Sequence, residues 1–196
     1  MWDKRFVEKV DAVVSYFSVS CRFWNVVDQH ECAFSGVYKV DAVVSYFSVS
    51  CRFWNVVDQH ECAFLGVYGC HIDRVCQLMW KELGGIASWW DVPRCIRGDF
   101  NVIRFPSERL GAERFTTEMH DFSEFISSFG LMDILLEGGR FTWSNNREAF
   151  AMSRIDRFLY SAGWEDCYPT ITQRRSPKIL SNHFPILLEC GHFTRG

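Results

Sequence analysis

Three short segments carry the side chains whose types could do chemistry. Asp99 and Asn101 sit in Gly98-Asp99-Phe100-Asn101, Asp156 lies in SRIDRFL at 153–159, and His183 follows Ser181 and Asn182 in SNHFPILL at 181–188. Carboxylate and amide oxygens are hard donors suited to a cation such as Mg²⁺. An imidazole with an ordinary pKa of about 6.5 exchanges a proton near neutral pH, provided that one ring nitrogen is tied to an orienting group. Each of these residues also has a plain structural reading. Asp99 and Asn101 could form an Asx turn that closes a strand, Asp156 could pair with a neighbouring arginine, and His183 could cap the strand after it. The other histidines lack a comparable setting: His30 and His60 fall in a hairpin turn, and His71, His120 and His192 have no motif around them.

The surrounding pattern indicates the elements that must position these residues. RCIRGDFNVI reads as a short strand with its polar pair held just beyond the sheet, where α/β folds usually place a site. Before it, IDRVCQLMWKELGG puts Val75, Leu78, Met79 and Leu83 at helical spacing, with Gly84 as a C-cap. After it come the charged loop PSERLGAER at 106–114 and a helix with Met119, Phe122, Phe125, Ile126 and Phe129 on one face, ended by Gly130. LMDILL, the strand RFTWS with a turn at Asn145-Asn146, the strand SRIDRFLYS, a short acidic linker, YPTITQRRSPKIL and the strand PILLEC complete the order. No Ser/Gly-rich linker or charge block divides residues 69–190, which predicts one mixed α/β domain.

Residues 9–38 and 39–68 are a tandem repeat, identical except that Leu65 stands where the first copy has Ser35. Two copies do not make a solenoid, which needs at least three units. In each, the alternating run VVSYFSVSCRF, a polar turn VVDQHE and a short apolar run predict a β-hairpin. If the fold has one slot for this hairpin, the other copy must extend an edge or lie outside the core.

The chain has 196 residues, 48% of them hydrophobic, and a formal net charge of −3, which suits one globular core and excludes a globally basic nucleic-acid binder. A local basic face remains open around Arg94, Arg97, Arg104, Arg109 and Arg114, around Arg154 and Arg157, and at Arg174, Arg175 and Lys178. These could be phosphate contacts or solvated loop charges. No apolar stretch is long enough to span a membrane, and the charged start MWDKRFVEKVD is no signal peptide, so a soluble intracellular protein is expected. Nine cysteines without a CxxC argue against a disulfide framework. Cys70, His71 and Cys76 lack the second ligand cluster of a zinc finger, so free buried thiols are expected.

GDFN, SRIDRFL and SNHFPILL, in that order, resemble the endonuclease/exonuclease/phosphatase superfamily, the DNase I-like fold, and in particular the endonuclease domains of plant non-LTR retrotransposons. GVYG at 66–69 is similar to the strand before that family's first long helix, and FTWSN at 141–145 to its aromatic strand. FPSERLG, MDILLEGGRFTWSNN and DRFLYSAGWED are similar to the retrotransposon branch. The resemblance covers residues 69–191 and one copy of the repeat. It implies a partial four-layer α/β sandwich, two sheets flanked by helices, without its N-terminal strands. The expected organisation is a duplicated region at 1–68, a C-terminal superfamily-like part at 69–191 and a tail at 192–196.

The same resemblance implies phosphodiester hydrolysis with Mg²⁺. His183 would be the base, Asp156 its orienting carboxylate, Asp99 the residue that positions water and shares in holding the metal, and Asn101 a donor to a phosphate oxygen. Trp143 would pack beneath the site. DNA is the implied partner, with no membrane and no obligate protein partner, and the nucleus the implied location. Two departures point to weak or absent activity. The family's Ser-Asp-His reads Ser181-Asn182-His183 here, so the metal position is held by a neutral amide and the cation weakly. The family's N-terminal metal-holding glutamate has no counterpart, since Glu31 and Glu61 lie in the repeat without its context. A nonenzymatic remnant that binds nucleic acid, or a phosphatase of the same superfamily, are the alternatives.

Overall fold

The computed structural model describes residues 7–14, 19–25, 31–36, 38–55, 61–70, 73–145, 150–178 and 181–191. The first repeat forms β1 (Val7–Val14), β2 (Val19–Asn25) and β3 (Glu31–Gly36), and the second forms β4 (Tyr38–Val44), β5 (Ser48–Asn55) and β6 (Glu61–Tyr68). Each is a three-stranded antiparallel meander and not the single hairpin its pattern suggests. In the second copy, VVSYFSVSCRF turns at Ser45–Phe47, where Glu82 supplies an acceptor. Its carboxylate takes the backbone N–H of Tyr46 at 3.1 Å and of Phe47 at 3.2 Å, and the Ser48 hydroxyl at 2.7 Å. A turn needs such partners for the donors that a ladder would otherwise satisfy.

Glu82 belongs to α1 (Asp73–Trp89), which connects β6 to β7 (Arg94–Asp99), and these two strands pair in parallel, as a helical crossover allows. Next come α2 (Thr117–Ser128), β8 (Leu131–Asp133), β9 (Leu136–Glu137), the ribbon β10 (Trp143–Ser144) with β11 (Met152–Ser153), β12 (Asp156–Ser161), α3 (Ala162–Cys167), β13 (Thr170–Arg175) and β14 (Ile186–Gly191). The main sheet has the order β4-β5-β6-β7-β12-β8, and the second sheet β14-β13-β9; the first repeat is a sheet of its own. The second repeat therefore shares one sheet with β7, β8 and β12 of residues 69–191, while the tail 192–196 lies outside the described residues.

Period-two alternation separates the two cores. On one face of the main sheet, Ala63, Leu65, Val67, Ile96 and Leu159 pack against Met79, Leu83 and Ile86 of α1 and Phe122, Phe125 and Ile126 of α2. On the other, Phe53, Cys62, Cys95, Phe158 and Tyr160 meet the second sheet through Ile186, with Ile171 and Leu188 packed alongside. Gln173 ties the layers, its Oε1 accepting the Phe158 N–H at 2.9 Å. This is the expected α/β sandwich of two sheets with flanking helices.

Several local expectations are corrected. Gly84 does not cap α1, which continues to Trp89; a Cβ there would lie 2.6 Å from the Phe129 ring, so the glycine serves close helix packing. Leu78, read as a core position, is exposed. The acidic linker is helical as α3. The charged loop at 106–114 is not simply solvated: Pro106–Glu108 form a 3-10 turn that buries Glu108. Cys70 and Cys76 form a disulfide, because the first turn of α1 brings their Cα atoms to 5.4 Å, whereas Cys51, Cys62 and Cys95 are buried outside any disulfide, as expected. Among the described residues no helix is long and apolar enough to cross a membrane.

Candidate active site

The antiparallel register of β7 and β12 sets Asp99, the last residue of one strand, directly opposite Asp156, the first of the other. Both carboxylates are buried, at 2% exposure each. Two such groups at one sheet end repel unless something cationic or donating joins them. His183 does so. Its Nδ1 lies 3.0 and 3.2 Å from the two Asp156 oxygens, and its Nε2 lies 3.9 Å from Asp99 Oδ2. The imidazole is 16% exposed, so solvent reaches it while the carboxylates stay enclosed.

The loop that presents His183 is built by short-range bonds. Ser181 Oγ accepts the His183 N–H at 3.0 Å, and His183 forms an isolated bridge to Trp143. Trp143 in turn packs against Ile103, Met119 and Ile155, the supporting place expected for it. On the other side, Asp99 Oδ1 accepts the backbone N–H of Asn101 at 2.8 Å, and Asn101 Nδ2 donates to the Gly69 carbonyl at 2.8 Å. Asp99 and Asn101 thus do form the Asx turn of the plain reading, and the same turn brings Asp99 to His183. Asn182 is exposed and contributes its carbonyl oxygen to the Ser144 N–H at 2.9 Å.

Thr142 and Glu108 were not singled out in the sequence. Thr142 is fully buried, and its Oγ1 accepts the N–H groups of both Ile155 and Asp156 at 3.0 Å. Its carbonyl accepts the Phe184 N–H at 2.6 Å, so one residue fastens both the Asp156 strand and the His183 loop. Glu108 accepts the N–H groups of Arg104 and Phe105, pairs with Arg157 and, at 3.3 Å, with Arg154. Asp133 completes the network, 2.7 Å from Arg157 and 3.0 Å from Arg154. Burial would raise the Glu108 pKa, but the Arg157 charge and these hydrogen bonds outweigh it and hold the carboxyl below its ordinary range. The only local sign of either role is a threonine beside the aromatic strand and an acid beside three arginines.

The arginines that looked available for phosphate are divided by this network. Arg154 and Arg157 are buried structural partners, and Arg97 is buried against the Phe158 ring. Arg109 and Arg114 remain exposed. Arg175 and Lys178 flank the Phe184 ring beside the His183 loop, at 4.2 and 5.0 Å from its centre. Glu61 is engaged in its own sheet by Arg52 at 2.5 Å.

Asp99, Asp156 and His183 each offer a ligand atom within 4.8 Å of the others. Mg²⁺ is held by one or two carboxylates together with water and substrate oxygens. Asp99 and Asp156 offer carboxylate oxygens of that kind.

No protein-family model matches the chain, and no curated protein matches it in sequence. Solved structures do match. The endonuclease domain of TRAS1, a telomere-specific non-LTR retrotransposon, superposes with a TM-score of 0.61 at 13% identity, over 94% of this chain and 80% of that one. The AP endonuclease LMAP from Leishmania major gives 0.61 at 14% identity, over 92% and 72%. A beta toxin from Staphylococcus aureus gives 0.54 at 12% identity, over 81% and 67%. At these identities the likeness establishes the fold.

Proposed function

We propose that this chain, which carries the DNase I-like fold of the endonuclease/exonuclease/phosphatase superfamily, is a Mg²⁺-dependent phosphodiester hydrolase of low activity that acts on DNA. The single observation behind the reading is the Asp156–His183–Asp99 constellation on facing strand ends. With Nδ1–H donated to Asp156, His183 keeps a lone pair on Nε2, which can take a proton from water. Asp156 holds the ring and stabilises the imidazolium that results, as the carboxylate of a catalytic triad does. The 3.9 Å between Nε2 and Asp99 Oδ2 is a span that one water can bridge, so Asp99 orients the attacking molecule. One Nδ2–H of Asn101 is held by Gly69, and the other is the donor assigned to a phosphate oxygen. Asp99, with Asn182 as a neutral oxygen donor, would hold Mg²⁺, which would supply charge neutralisation at the phosphate.

The resemblance of the loops to retrotransposon endonucleases, and a superposition on one such domain, favour DNA over a phosphomonoester. Action on chromosomal DNA would place the protein in the nucleus. The exposed, neutral Asn182 favours a second reading, a nonenzymatic remnant that binds nucleic acid through Arg109, Arg114 and the Arg175–Lys178 pair. Nicking of supercoiled plasmid by protein whose folding is verified by circular dichroism separates the two. Nicking that needs Mg²⁺ and disappears with EDTA and in His183→Ala supports the hydrolase. Folded protein that binds the plasmid without nicking it supports the remnant.

A further inference from the structure

The junction between β6 and α1 imposes a condition that only one repeat meets. Gly69 donates its N–H to the Asp99 carbonyl at 2.6 Å and accepts the Asn101 side-chain amide at 2.8 Å. Asn101 has a φ of 55°, the one positive φ outside glycine among the described residues, so the bond to Gly69 fastens a backbone conformation that is not favoured by itself. A Cβ on Gly69 would lie 2.1 Å from the Phe100 carbonyl oxygen and 2.3 Å from its carbon. These are backbone atoms at the centre of GDFN, and no rotamer change moves them away.

The first repeat would bring different residues to the same place. Its Gly36-Val37-Tyr38 is followed by Lys39, where Gly66-Val67-Tyr68 is followed by Gly69. The one internal difference falls at Leu65, which is 1% exposed in the core beneath α1 and α2, against Ser35. The first copy would place a hydroxyl in an apolar core and a side chain where no Cβ fits.

We propose that Gly69 is a positioning residue for the Asp99–Asn101 turn, and that Leu65 and Gly69 together make the second repeat the only copy able to complete the site. The repeats are thus alternative occupants of one slot. Only occupancy by the second assembles the residues assigned to hydrolysis, an assignment that rests on the function proposed above.

The Asn101 side-chain amide is the reporter. In the ¹⁵N-labelled full chain, its hydrogen-bonded proton should exchange slowly with solvent. Gly69→Ala should abolish that protection, while Gly85→Ala, at a helix position with open space around it, should retain it. The triple variant Ser35→Leu, Lys39→Gly, Gly69→Ala gives the first repeat both missing features. It should restore the protected amide, with the second repeat displaced into a surface insertion whose closure entropy grows only slowly with length. Protection retained in Gly69→Ala overturns the positioning role. Loss without rescue in the triple variant overturns the selection by positions 35 and 39. If Gly69→Ala unfolds by circular dichroism, the triple variant decides: recovery of fold and amide together supports the proposal, and failure to recover overturns it. No readout needs turnover, so a negative nicking assay and a failure here are distinguishable.

Discussion

At the residue scale, the site depends on a side chain that performs no chemistry. Thr142 Oγ1 is the acceptor for two consecutive buried N–H groups, one of them belonging to Asp156. Thr142→Val is close to isosteric, so its cost is that of two donors left without a partner, on the order of 1–3 kcal/mol each. Urea denaturation should show that loss, and nicking should fall with it. Thr142→Ser keeps the oxygen and should recover most of both. At Asn182 the direction is the opposite. Asn182→Asp adds a negative charge beside His183 and should lower the Mg²⁺ concentration needed for half-maximal nicking, measured by titrating the metal; an unchanged requirement would exclude position 182 from the cation's surroundings. Asp99, Asp156 and His183 were legible because each stands in a short local phrase. Thr142 and Glu108 were not, since their partners are supplied by segments that only the fold brings together.

At the element scale, adjacent glycines in α1 invite opposite outcomes. The 0.8–1.0 kcal/mol that a helix interior gains from alanine over glycine applies at both, to order of magnitude. Gly85 has nothing within 4 Å of a built Cβ, so Gly85→Ala should raise stability by about 1 kcal/mol. At Gly84 the same methyl meets the Phe129 ring at 2.6 Å. Overpacking costs about 1–3 kcal/mol, which cancels or exceeds the propensity gain, and Gly84→Ala should be neutral to destabilising. Thermal melts of the two variants side by side check the difference. Periodicity located this helix and the Met119–Ile126 face of α2 correctly, because burial imposes a 3.6-residue repeat. It misplaced the end of α1, because a glycine that admits a neighbouring ring looks, in sequence, like one that ends a helix. It also read each repeat as a hairpin, because VVSYFSVSCRF alternates without a Gly, Pro or Asn to mark a turn, although in both copies it divides into two antiparallel strands.

At the scale of the whole molecule, the order of the segments made the sandwich readable, while the way its parts are fastened depends on charges that sequence alone would leave in solvent. Glu108 and Asp133 bind Arg154 and Arg157 at a point where the 3-10 turn, β8 and β12 converge. The folded pKa of Glu108 is lowered, so the unfolded chain binds the proton more readily. Its stabilising contribution is therefore complete above the ordinary carboxylate pKa of about 4.3 and is lost as pH falls through the lower, folded value. Glu108→Gln removes the charge and leaves two buried guanidinium groups to share Asp133. Breaking a buried pair in this way costs about 3–5 kcal/mol at neutral pH. The variant should be much less stable than the parent at about pH 7, and the gap should narrow steadily as the pH is lowered below about 4, where the parent's unfolded chain takes up the Glu108 proton before the folded protein does. Denaturant midpoints across that range measure it. A gap that stays constant with pH would mean that Glu108 acts through packing and not through its charge, and that the fold is fastened at this point by something other than the ion network.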